Sequence, residues 1–131
     1  MNGDILTALD FTRFHEFASN SDALLTIAIK KVITPFAFGD IFFEGDRVTA
    51  IKEKPDLVNY VLAGIYLMRP GIFDLIPDGE YFGMDTLIRL MLERDLPVLK
   101  YEMEEYWLDI GREDDFEKAQ ELFKNPGESG D

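Results

Sequence analysis

The sequence predicts an α/β fold with a mixed sheet. Three observations carry that expectation. Helical and strand-like hydrophobic periodicities alternate along the chain, and tight-turn residues punctuate them. A composition of 47% hydrophobic and 30% charged residues suits a packed core and is too apolar for a disordered chain. The chain has 131 residues, one domain's length. Folding at this size should bury roughly two-thirds of the unfolded surface. Eleven Phe, five Tyr and one Trp supply bulky material for the core.

Each element has a local reason. Asn2-Gly3-Asp4 is turn chemistry of the kind α/β proteins place just after a strand's carboxyl end, and the strand delivering it would precede Met1. Asp10 is placed to cap a helix with Phe11, Phe14, Phe17 and Ala18 near one face. Leu24 to Ile29 reads as a buried strand. Residues 38–43 and 47–52 flank Glu44-Gly45-Asp46 as a hairpin. Leu62 to Met68 is a further strand, ended by Arg69-Pro70-Gly71, and its internal Gly64 marks a bulge or a close backbone approach. Asp85 is placed to cap a helix carrying Leu87, Ile88, Met91 and Leu92. Pro97 to Glu102 and Tyr106 to Leu108 are short strands. A last helix puts Glu113, Asp114 and Asp115 in its first turn, where the helix dipole favours acids, and buries Phe116, Ala119 and Phe123. These elements form one domain over residues 1–124, and the breaker-rich tail 125–131 is expected to be flexible.

Charge and composition exclude several partners. With 26 acidic and 13 basic residues the net charge is −13, and no basic face for nucleic acid is visible. Anionic membranes are disfavoured for the same reason. No run approaches the roughly 18 apolar residues of a membrane span, and the N-terminal residues lack signal-peptide character. The absence of Cys excludes a disulfide scaffold and a thiolate metal site. The expectation is a soluble, cytoplasmic protein. An anionic substrate would need a local cation or a divalent metal. His15, the only histidine, lies on the polar flank of its helix without Ser or Cys partners for a triad. Glu102, Glu104 and Glu105 read as a solvated edge.

Four stretches stand out: Asn2-Gly3-Asp4, Glu53-Lys54-Pro55, Ala63-Gly64-Ile65-Tyr66 and Trp107-Leu108-Asp109-Ile110-Gly111. Singly, each has a plain reading as a turn, a strand end, a bulge or a strand terminus. In this order and spacing they resemble the sugar-phosphate nucleotidyltransferases, the nucleotide-sugar pyrophosphorylases. The resemblance covers residues 1–123 and includes Leu6-Thr7, Thr26-Ile27-Ala28, Phe38-Gly39 and Asp115-Phe116-Glu117-Lys118-Ala119.

The resemblance implies a Rossmann-like nucleotide-diphospho-sugar transferase fold and the joining of a nucleoside triphosphate to a hexose 1-phosphate with release of pyrophosphate. It implies that Asp4 and Asp109 hold catalytic magnesium and that Lys54 grips the sugar phosphate. It further implies that Glu53 bonds sugar hydroxyls, that Gly39 and the Leu62–Gly64 segment line the sugar pocket through their backbones, and that Trp107 shapes the same wall. The chemistry is consistent: phosphate attacking phosphate is catalysed by positioning and charge neutralisation, magnesium takes one or two carboxylates plus substrate phosphates, and Lys is a mobile point charge.

One departure is large. The family's Gly-rich, Arg-containing triphosphate loop has no counterpart ahead of Asp4, so the chain resembles the family's C-terminal half without the nucleotide-binding half. That predicts an open sheet edge, little turnover by the chain alone, and either a homodimer or pairing with a complementary N-terminal half. A non-catalytic sugar-phosphate-binding or interaction module is the alternative reading. Base and hexose are left open.

Overall fold

Among the described residues the backbone divides into two compact units, one comprising Met1–Lys30 and residues 62–111, the other Lys31–Val61. The computed structural model describes residues 1–111. The expected last helix and polar tail lie outside them.

A three-stranded sheet of order β5-β2-β6 is formed by β2, Leu25–Pro35, β5, Asp56–Met68, and β6, Val98–Met103; the first unit contains β6, β2 up to Lys30 and β5 from Leu62. β2 and β6 run parallel, from Leu25 opposite Val98 to Lys30 opposite Met103. Alternation along the strands separates two apolar clusters. Ala28, Ala63, Ile65 and Met103 gather with Leu9 and with Phe14 of helix α1, Phe11–Ser19. Leu25 gathers with Ile72 and with Leu87 and Met91 of helix α2, Met84–Glu93. Each fully buried side chain of this size contributes about 1.5–3 kcal/mol. A short antiparallel ribbon completes the unit: β1, Ile5–Thr7, pairs with β7, Trp107–Asp109. No helix among the described residues is long and apolar enough to cross a membrane.

The second unit holds the hairpin of β3, Asp40–Glu44, and β4, Arg47–Lys52. The Gly45-Asp46 turn matches the expected chemistry, with Gly45 at a φ of +57° that favours glycine. A bulge between Phe42 and Phe43 shifts the register. Phe36 N–H donates to the Pro55 carbonyl at 3.1 Å, tying the unit's ends together.

Several expectations need correction. Asp4 is followed by β1, a strand that was not expected at Ile5–Thr7. β2 and β5 run well beyond their expected ends because pairing and β-branched residues such as Val32, Ile33, Val58 and Val61 extend them past their buried portions. Asp10 caps α1 as expected, accepting from Thr12 N–H and Arg13 N–H at 3.0 Å. Yet only Phe14 and Ala18 are buried there, with Phe11 and Phe17 exposed at the margins. The α2 cap is Gly83, and Asp85 lies inside the first turn, because Met84 already packs on the second cluster. Leu92 is exposed rather than buried. Pro70–Leu75 forms a 3-10 helix where only a break was expected, and Pro70 at its start suits that role.

Candidate functional site

The β1–β7 ribbon brings Asp4 and Asp109 together. They lie 105 positions apart in sequence, yet antiparallel register sets Ile5 opposite Asp109. One residue further out, Ile110 N–H donates to the Asp4 carbonyl at 2.8 Å, so the ribbon closes with both aspartates at one end. Gly111 N–H donates to Asp109 Oδ1 at 2.9 Å. Asp4 Oδ2 and Asp109 Oδ1 each lie 3.0 Å from the point a Cβ on Gly111 would occupy, so they are within twice that distance of each other. Asp4 is exposed and Asp109 half-buried.

Two bonds pin this ribbon to neighbouring residues of β5. Trp107 Nε1–H donates to the Ala63 carbonyl and Asn2 N–H to the Gly64 carbonyl, both at 2.8 Å. Gly64 stands at a φ of +70°, and a Cβ there would lie 2.9 Å from the Asn2 side-chain nitrogen. That is the close approach its position inside a strand predicts. Leu62, two residues earlier, is 41% exposed. Asp4, Asp109, Gly64 and Trp107 are thus one assembly, fixed by tertiary hydrogen bonds.

Gly39, Glu53 and Lys54 belong to the second unit. Gly39 is exposed beside the Ile51 side chain, with a would-be Cβ 3.6 Å from Ile51 Cδ1. Glu53 and Lys54 are not a strand end. They form a bend between β4 and β5, both exposed, ahead of buried Pro55. Lys54 adopts a φ of +46°, a left-handed conformation costly for a residue with a Cβ, and the following proline narrows its choices further.

Other candidates stay outside. His15 is exposed, its Nδ1 3.5 Å from Ser19 Oγ. Glu102 and Glu104 are exposed and Glu105 half-buried, lining with Arg13 and Tyr101 a cleft of about 320 Å³ that contains none of the expected site residues. No group of three metal-ligating side chains occurs among the described residues. Asn2 and Gly111 lie within the quoted motifs, but sequence reasoning gave neither a task. Only folding shows what they touch.

A family profile for Nucleotidyl transferase matches residues 1–125. The chain belongs to the nucleotidyl transferase family. Mannose-1-phosphate guanylyltransferase of Mycobacterium tuberculosis is 30% identical to this nucleotidyl transferase chain over 120 residues, covering 88% of the chain and 33% of that protein. Mannose-1-phosphate guanyltransferase of Yarrowia lipolytica is 30% identical over 121 residues, again 88% of the chain and 33% of the relative. Among solved structures, HddC from Yersinia pseudotuberculosis matches with a TM-score of 0.63 and 25% identity, over 94% of this chain and 53% of that one. The same protein has also been solved in complex with GMP-PN. The chain therefore spans about a third of the curated relatives' length and about half of the solved chain's. The α/β fold of this chain therefore matches that of the solved HddC structure over the covered part.

Proposed function

We propose that this chain is the sugar-phosphate-binding half of a magnesium-dependent sugar-1-phosphate nucleotidyltransferase, corresponding to the C-terminal half of the nucleotidyltransferase domain. The observation that carries the reading is the convergence of Asp4 and Asp109 at one end of the β1–β7 ribbon. Two carboxylates with no imidazole or thiolate beside them in the ribbon form an all-oxygen donor set, which fits a hard ion that completes its shell with water and substrate phosphates. Bound there, magnesium supplies positive charge against the phosphates of both substrates.

The chain's own residues do the rest by binding and orienting. Lys54 holds the sugar phosphate with its ammonium, presented from an exposed bend with a left-handed backbone. Glu53 accepts from sugar hydroxyls. In the first unit the Leu62–Gly64 backbone and Trp107 would contact the sugar, and in the second unit the Gly39 backbone would do so. The relatives' names point to mannose 1-phosphate as the sugar phosphate and GTP as the nucleotide to try first.

A second reading has its own support. The 131 residues contain no Gly-rich phosphate loop, so binding without turnover is the behaviour expected of them alone. A thermal-shift and pyrophosphate-release assay separates the outcomes. Magnesium and mannose 1-phosphate should together raise the melting temperature through linkage, and Lys54→Ala should lose the sugar-phosphate part of that shift while keeping the fold. Asp109→Asn should lose the magnesium part. No shift with either ligand would refute the binding reading. Pyrophosphate release from the chain alone would show that the loop is dispensable.

A further inference from the structure

We propose that Gly111 is a positioning residue that sets the spacing of the Asp4–Asp109 carboxylate pair by having no side chain. The effect on metal binding rests on the reading of that pair given above, whereas the effect on the carboxylates does not.

Glycine can be needed for its backbone or for its lack of volume, and the glycines here separate the two. Gly45 and Gly79 have φ values of +57° and +74°, and a Cβ at either would meet nothing within 4 Å. Their backbone conformation calls for glycine. Gly111 is the reverse. Its φ is outside the left-handed region, so an ordinary residue could adopt the conformation, but a Cβ would lie 3.0 Å from Asp109 Oδ1 and 3.0 Å from Asp4 Oδ2.

The two oxygens yield in different ways, since Asp109 Oδ1 is hydrogen-bonded and Asp4 Oδ2 ends an exposed side chain. Asp109 Oδ1 accepts the Gly111 N–H at 2.9 Å, so retreat stretches that bond. Asp4 is anchored through its carbonyl, which accepts the Ile110 N–H at 2.8 Å, so its side chain must swing instead. A methyl group at position 111 would therefore part the pair by a few tenths of an ångström. Magnesium demands near-ideal octahedral geometry with oxygens at about 2.0–2.1 Å, so a displacement of that size matters.

The test compares the 131-residue chain with its Gly111→Ala and Gly3→Ala variants. Gly3 is the control, because a Cβ there meets nothing within 4 Å beyond its own two chain neighbours. Side-chain carboxyl carbon resonances, recorded without metal, report the pair directly. Mn²⁺ titration followed by electron paramagnetic resonance reports the affinity. Gly111→Ala should move the Asp4 or Asp109 carboxyl resonances, leave those of Asp10 and Asp85 in place, and weaken Mn²⁺ roughly tenfold or more, as loss of outer-shell support does. Gly3→Ala should match the parent in both.

Unmoved carboxyl resonances in a folded Gly111→Ala chain would overturn the proposal. Moved resonances with parent-like Mn²⁺ affinity would overturn its consequence for the metal. If the parent itself fails to bind Mn²⁺, the metal reading of the pair falls, and the metal-free resonances still decide the role of Gly111. If Gly111→Ala does not fold, adding Asp4→Ala should restore folding by removing one clash. Failure to restore it would count against the proposal.

Discussion

Buried apolar residues of the first unit, among them Leu25, Ile65, Ile72, Leu87 and Met91, form two clusters that include residues of both helices. In the second unit only Pro55 is buried, while Ile41, Phe43, Val48 and Ile51 of the hairpin are 45%, 71%, 66% and 67% exposed. The two units consequently hold their candidate site residues by different means. Asp4 and Asp109 are placed by strand register and by bonds from Trp107 and Asn2 to β5, which exist only in the folded unit. Lys54 is placed by its own backbone, a left-handed bend locked between a strand and a proline. Geometry at the carboxylates depends on global stability, and geometry at the lysine on local chemistry.

The sharpest way to break this comparison is through the core. Leu25→Ala should cost about 2–5 kcal/mol in urea unfolding, whereas Phe43→Ala, at a comparably large side chain, should stay within about 0.5 kcal/mol. Equal costs would mean that the hairpin's apolar side chains are packed after all. Next in size is Trp107→Phe, which removes the indole N–H and leaves the Ala63 carbonyl without that donor. A loss of about 1–3 kcal/mol is expected, together with a weakened Mg²⁺ response in the thermal-shift assay.

Lys54→Gly tests the other unit. Glycine relieves the left-handed strain, so unfolding should become harder by about 1 kcal/mol even as sugar-phosphate binding is lost. A destabilised variant would show that the bend is not strained. The smallest effect is one of pH. Burial raises the Tyr66 phenol above its ordinary 10.0. As pH climbs past that value the unfolded chain loses the proton first, the folded chain binds more protons, and stability falls. Tyr66→Phe should flatten that alkaline limb in a urea series run at increasing pH.

Much of this was legible in the sequence where the cause is local. Asp10 caps α1 because a carboxylate just before a helix meets its free N–H groups, wherever the rest of the chain goes. Gly45-Asp46 makes a two-residue hairpin turn for an equally local reason. Where tertiary packing competes, the reading slipped. Asp85 has the chemistry of a cap, but Met84 has a place in the second apolar cluster, and burial starts the helix earlier. Phe11 and Phe17 have core chemistry on a helix whose buried stripe is only wide enough for Phe14 and Ala18.

By itself, then, the sequence determined the alternating elements, the local caps and turns, and the motif order that places the chain in its family, because each follows from neighbouring residues. The tertiary structure decided what the motifs do to one another. It set Asp4 beside Asp109 across 105 positions, gave Asn2 its contact with Gly64, and turned Gly111 from the last letter of a motif into the space between two carboxylates. Strand register and side-chain volume produce those relations, and both come into being only when distant segments pack together.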